Sequence, residues 1–232
     1  MSGTDSYVML MASLPRSERL FLAKQPPISR LKLERRLKQL TADDREVLRQ
    51  VETALDWREI DLGASDAMVL ARATRALAAL DSQTLRDVIQ ERLELRTCIA
   101  ALRRRARGEG PPSARAGWGF GRWLNRIAQC WGEAGLGLER VFPWIVQADQ
   151  LLRQPDPVAL ERLILEQYYR SLQRHAEGHA FDLEAVVIYV LKWGIFDRWA
   201  RANREGAARR FDALTNEALG VHRALDLTEV AS

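Results

Sequence analysis

The sequence predicts an all-α protein, a multi-helix bundle made of two packed helical subdomains. Three observations lead there. Apolar residues recur at steps of three and four along most of the chain. Helix-capping Ser, Thr and Asp and helix-breaking Gly and Pro fall between those runs. No segment makes a convincing strand; only Tyr7–Leu14 suits either a strand or the first turn of a helix.

In chain order, Pro26 and Pro27 block backward extension of a helix that Ser29 caps and that carries Leu33, Leu37 and Leu40. Thr41 to Asp44 resembles a capping box, opening a helix with Val47, Leu48, Val51 and Leu55 on one face. A third helix is expected from about Asp66 to Leu80. The longest signal runs from Leu85 to Arg107, with Leu85, Val88, Leu95, Ile99, Leu102 and Ala106 forming a seam that Arg92 alone interrupts. The span 108–121 holds five glycines and two prolines and is expected to be a loop or hinge between subdomains 1–107 and 122–232. Helices resume over about 122–131 and 139–153. Asp156-Pro157 is a start signal, with Asp as cap and Pro at the first helical position, for a helix carrying Leu160, Leu163, Ile164, Tyr168 and Leu172. Asp182 starts the next, apolar nearly all round from Leu183 to Phe196, which predicts a central buried helix. A last helix is expected over Arg204–Leu219, closed by Gly220.

Composition bounds the function. Of 232 residues, 47% are hydrophobic and 28% charged, enough for a real core. The formal charge is +4 and almost all the cations are Arg, which suits solvated helix faces, acidic partners or phosphates. Cys98 and Cys130 are too isolated for a disulfide framework or zinc site and are expected as buried thiols. Asp5 stands where a secretory signal would be basic, and the apolar run Ala185–Leu191 is far short of the ~20 residues of a membrane span. These features predict a cytoplasmic protein that meets a membrane only through partners.

Reactive constellations are incomplete. His175 and His179 share a helical spacing, yet Glu177 is not adjacent to the first His and no third ligand follows, so a zinc-protease site is rejected. Gly117, Gly119 and Gly121 follow a basic helix rather than a strand and lack the Gly-Lys-Ser/Thr of a phosphate loop. No cofactor is expected and a non-catalytic protein is. The competing enzyme class would require a deep pocket assembled from distant helices. The strongest interaction signal is a cluster of Arg103, Arg104, Arg105, Arg107, Arg115, Arg122 and Arg126 interleaved with Trp118, Phe120 and Trp123. Arg103, Arg104, Arg105, Arg107, Trp118, Phe120 and Arg122 are the candidate partner-binding residues. Arg and Trp are enriched in protein hot spots. The same mixture would stack and neutralise single-stranded nucleic acid, the alternative function. Trp123 and Trp131 also suit plain core positions.

Several segments resemble known families. Tyr7 to Pro15 (YVMLMASLP), then Pro26-Pro27-Ile28-Ser29, resembles the opening of a small bacterial family of unknown function whose genes travel with V/A-type ATPase operons. Glu94 to Arg107 resembles its middle helix. Phe181 to Lys192, then Asp197-Arg198-Trp199, resembles its C-terminal signature. Asp156 to Leu172, with Glu161, Tyr168 and Tyr169, resembles a pattern of the V/A-type ATPase C-subunit family, also known as the d-subunit family. The resemblance implies a helical, non-catalytic adaptor whose partners are other proteins of that ATPase, at the central stalk or rotor ring. A reduced adaptor and an assembly factor are both compatible with it.

Overall fold

A computed structural model describes residues 3–16, 20–23, 25–55, 66–113, 117–154 and 157–204. Among them every regular element is helical: α1 (Gly3–Ser13), α2 (Arg30–Leu37), α3 (Ala42–Leu55), α4 (Asp66–Ala79), α5 (Gln83–Ala106), α6 (Leu124–Gln129), α7 (Trp144–Leu152) and α8 (Pro157–Ala176). A further helix, α9, covers 183–204, and a short 3-10 turn occupies Leu20–Leu22. The segment Tyr7–Leu14 is therefore helix, not strand, up to Ser13.

Local chemistry explains the starts. Ser29 caps α2 by accepting the Lys32 N–H at 3.4 Å, and Thr41 Oγ1 accepts the Asp44 N–H at 3.1 Å at the head of α3. Ser82 accepts the Leu85 N–H at 3.4 Å, so α5 begins at Gln83, two residues before the first seam residue. Asp182 Oδ1 accepts the Ala185 N–H at 2.8 Å and opens α9 as expected. Pro157 is the first residue of α8, while the expected cap Asp156 lies outside the described residues. So does the expected helix beyond Arg204, with Gly220; the described chain shows α9 continuing unbroken to 204.

Two expected helices are shorter than their sequence pattern. α6 ends at Gln129 and α7 starts only after Pro143, with a series of turns between. Two left-handed residues in a row, Leu136 at φ 54° and Gly137 at φ 68°, divert the chain there. Gly137 is required: a Cβ would lie 2.7 Å from the Cys130 sulfur.

The apolar side chains form two clusters. The first gathers α1 to α4, Leu85–Leu93 of α5, Leu165–Leu172 of α8 and most of α9, with Phe196, Leu10, Leu33 and Leu85 fully buried. The second gathers Leu95–Leu102 of α5, Trp118, Ile127, Leu136, Leu138, Ile145, Ala148 and Leu160–Ile164 of α8. The early half of α5 thus shares a cluster with the late half of α8, and the two helices run antiparallel through both. The division expected at 108–121 does not separate the cores, because each draws on residues from both sides of it. The helix expected to be central is so: Val186, Val187, Ile188, Val190, Trp193, Ile195 and Phe196 of α9 are buried. Cys98 and Cys130 are buried free thiols, and burial pushes Cys98 up to about 12.

Leu85→Ala in the first cluster and Leu102→Ala in the second should each destabilise the protein by about 2–5 kcal/mol. Because α5 and α8 cross both clusters, either change should lower the midpoint of one shared unfolding transition followed by circular dichroism. Two resolved transitions would mean that the cores fold independently.

Candidate functional site

The Arg/Trp region divides into surface and scaffold. Arg103, Arg107 and Arg122 are exposed, Arg107 paired with Glu109 at 2.7 Å and Arg122 with Glu94 at 3.8 Å. The Arg122 guanidinium lies 4.9 Å from the ring centre of Trp123. Arg104 is half-buried, 5.9 Å from the Trp118 ring centre. Arg126 is exposed and donates to the Gly137 carbonyl at 3.2 Å; Arg115 lies outside the described residues.

Arg105 and Trp118, expected at a contact surface, belong to the fold itself. Arg105 meets buried Asp149 of α7 at 2.6 Å. It also donates to the carbonyls of Trp131 and Ala134, each at 3.0 Å, and to that of Glu133. One planar fork therefore pins the last turn of α5 to the turns after α6 and to α7. Trp118 is only 4% exposed and packs in the second cluster. Phe120 is half-buried against the first cluster, its backbone N–H donating to Thr97 Oγ1 at 2.8 Å. Gly121 beside it has φ 103°, and a Cβ there would meet Glu94 at 2.5 Å, so the loop is pressed onto α5. The Gly/Pro segment is thus partly a strap over the bundle.

His175 sits in the last turn of α8, 3.3 Å from Glu91, and His179 follows in the connection to α9. The ligand atoms of His179, Asp182 and Glu184 lie within 4.8 Å of one another. Both ring nitrogens of His179 are engaged, Nδ1 with Asp182 at 2.7 Å and Nε2 with the Thr84 hydroxyl at 3.1 Å. Asp182 is also the α9 cap. These groups tie α5 to the start of α9.

Among the described residues a cavity of about 960 Å³ forms a cleft between α2, α3, α5, α8 and α9. Arg92, the interruption in the α5 seam, is one of its walls and is only 3% exposed. Its guanidinium lies 4.2 Å from the ring centre of Tyr168 on α8. Burial lowers its pKa to about 10, which still leaves it charged at neutral pH, and burial raises that of Tyr168 to about 12 against the pull of Arg92. Around it, Arg198 of α9 forms a two-pronged pair with Glu161 of α8, one prong at 3.1 Å. Arg201 pairs with Asp197 one turn away. Arg30 reaches Glu34 at 2.7 Å and Glu52 at 3.5 Å, with its guanidinium 5.6 Å from the Trp193 ring centre. The sequence did carry a sign of this cleft: a lone arginine at an apolar seam position, whose burial demands an aromatic or charged partner from another helix.

Comparison of the chain with protein families, curated proteins and solved structures returns no match.

Arg105→Met should destabilise the protein by about 3 kcal/mol, because it leaves the buried Asp149 carboxylate with the exposed Arg153 alone, at 2.7 Å, and removes the donor to three backbone carbonyls. Arg103→Met, on an exposed face of the same turn, should stay within about 0.5 kcal/mol of wild type. Chemical denaturation measures both; equal effects would contradict the division into scaffold and surface.

Proposed function

We propose that this chain is a non-catalytic adaptor or accessory subunit of a bacterial V/A-type rotary ATPase, acting through contacts with other subunits at the central stalk or rotor ring. The observation that carries the reading is spatial. Apart from Glu94–Arg107, whose apolar side chains lie in the second cluster, the segments that resemble the ATPase-linked families, far apart in sequence, meet around α9. Tyr189 donates to the Pro15 carbonyl at 3.0 Å, and the Trp193 indole N–H donates to the Ile28 carbonyl at 2.6 Å. Tyr169 packs edge-on to Phe196 at 5.9 Å, and Glu161 holds Arg198. Motifs that are weak one by one form a single contact set, as expected if they specify one shared architecture.

A packed helical body suits such a role, since it holds a fixed geometry and passes force between partners without a reactive side chain. The exposed Arg103 and Arg107 at the end of α5, with Arg122 farther back beside Glu94, are the proposed docking residues, where positive charge steers an acidic partner surface and speeds its encounter. Among the described residues no helix is long and apolar enough to cross a membrane, and in this reading the membrane is reached only through the partner complex. The nucleic-acid alternative needs open ring faces for stacked bases. Trp118 is buried, and Arg122 lies over Trp123, so the protein-contact reading is preferred.

Pull-down of tagged full-length protein from native membranes should bring down ATPase subunits. The triple change Arg103→Glu, Arg107→Glu and Arg122→Glu, which leaves Arg105 intact, should abolish that recovery while keeping the helical circular dichroism. Undiminished recovery removes this face from the interface. A wild-type pull-down free of ATPase subunits overturns the proposed function.

A further inference from the structure

Charge and shape single out the cleft between α2, α3, α5, α8 and α9. Its walls carry five guanidinium groups, Arg30, Arg49, Arg92, Arg198 and Arg201, contributed by four helices, against three carboxylates, Glu52, Glu161 and Asp197. Burying a guanidinium is unfavourable, and Arg92 is kept almost wholly out of water at the wall of a cavity large enough for a ligand. We propose that this cleft binds a small polyanion bearing two or more phosphoryl groups. The proposal stands apart from the adaptor role and does not need it.

The recognition chemistry follows from the guanidinium fork. Planar donors contributed by four helices suit the oxygens of successive phosphoryl groups, since one guanidinium fork can engage two oxygens at once. Arg92 is held in place by the Tyr168 ring, and Arg30 lies beside Trp193. The buried one of the two, Arg92, is preorganised, so little of its side-chain freedom is lost when an anion arrives. Arg49 and Arg201 are the adjustable pair. Arg49 is 65% exposed beside Glu46, and Arg201 is 37% exposed beside Asp197. Solvent-exposed ion pairs contribute little, so both side chains can turn inward onto a multiply charged ligand. The three interleaved carboxylates offset three of the five guanidiniums, so the attraction left for a singly charged anion is small and a multiply charged one gains more. The volume, about 960 Å³, lies at the upper end of small-molecule sites. It admits a phosphoryl chain with or without an attached nucleoside.

Isothermal titration calorimetry of the full chain tests this, with inorganic pyrophosphate and a nucleoside diphosphate as the two phosphoryl probes and citrate as a carboxylate polyanion. At least one phosphoryl probe should bind saturably with one site per chain, and which one does so distinguishes a bare phosphoryl chain from a nucleotide. Arg49→Gln and Arg201→Gln, both at exposed side chains, should each weaken that binding about tenfold. Arg92→Met should weaken it further, with circular dichroism verifying the fold. No saturable binding of either phosphoryl probe, or affinities unchanged in Arg49→Gln and Arg201→Gln, would overturn the site. Citrate binding as tightly as the better phosphoryl probe would overturn its assignment to phosphate. None of these outcomes bears on recovery of ATPase subunits, so the two readings fail separately.

Discussion

The antiparallel pairing of α5 with α8 is the constraint on which the rest of the molecule depends. At 24 and 20 residues they are long helices, reaching about 36 and 30 Å at 1.5 Å per residue. Each gives one half to each apolar cluster, so neither cluster is complete without both helices. Several other elements are fastened to this pair. α7 packs on both. Arg105 clamps the end of α5 to Asp149 and the neighbouring turns. Thr97 and Glu94 hold the loop at Phe120 and Gly121.

The polar cleft is a consequence of the same pairing. Arg92 and Glu161 lie on α5 and α8 within a turn of the points where each helix passes from one cluster to the other, and α9 supplies Arg198 opposite them. Where two apolar clusters abut, a packed polar seam is one way to fix the helices in a single register. The Arg92 guanidinium on Tyr168 and the Arg198–Glu161 pair are cross-links at that seam. The proposed ligand site therefore sits on rigid elements, whereas the proposed docking face sits at the end of α5 and on the loop beyond it. The two surfaces use different parts of one scaffold.

Much of the fold was legible in the sequence because helix signals are local. The caps Ser29 and Asp182 and the apolar faces of α3, α5, α8 and α9 are read within a few residues of themselves. What lay out of reach was decided by distant partners. Arg105 looks like its neighbours Arg103, Arg104 and Arg107 until Asp149, far along the chain, is brought beside it. Trp118 looks like a contact residue until the second cluster closes over it. The helices expected over 122–131 and 139–153 overran their ends: α6 covers only Leu124–Gln129, and α7 starts only after Pro143, which the apolar spacing of the second pattern ran through. The hinge placed at 108–121 followed composition, but connectivity of the cores follows α5 and α8.

Native-state hydrogen exchange along α5 tests the shared-core account most directly. If the two clusters are one unit, the slow amides of Val88–Arg92 and of Ile99–Leu102 should report the same opening free energy, equal to that of global unfolding. Clearly weaker protection in one half, through an opening that leaves the other half closed, would contradict it.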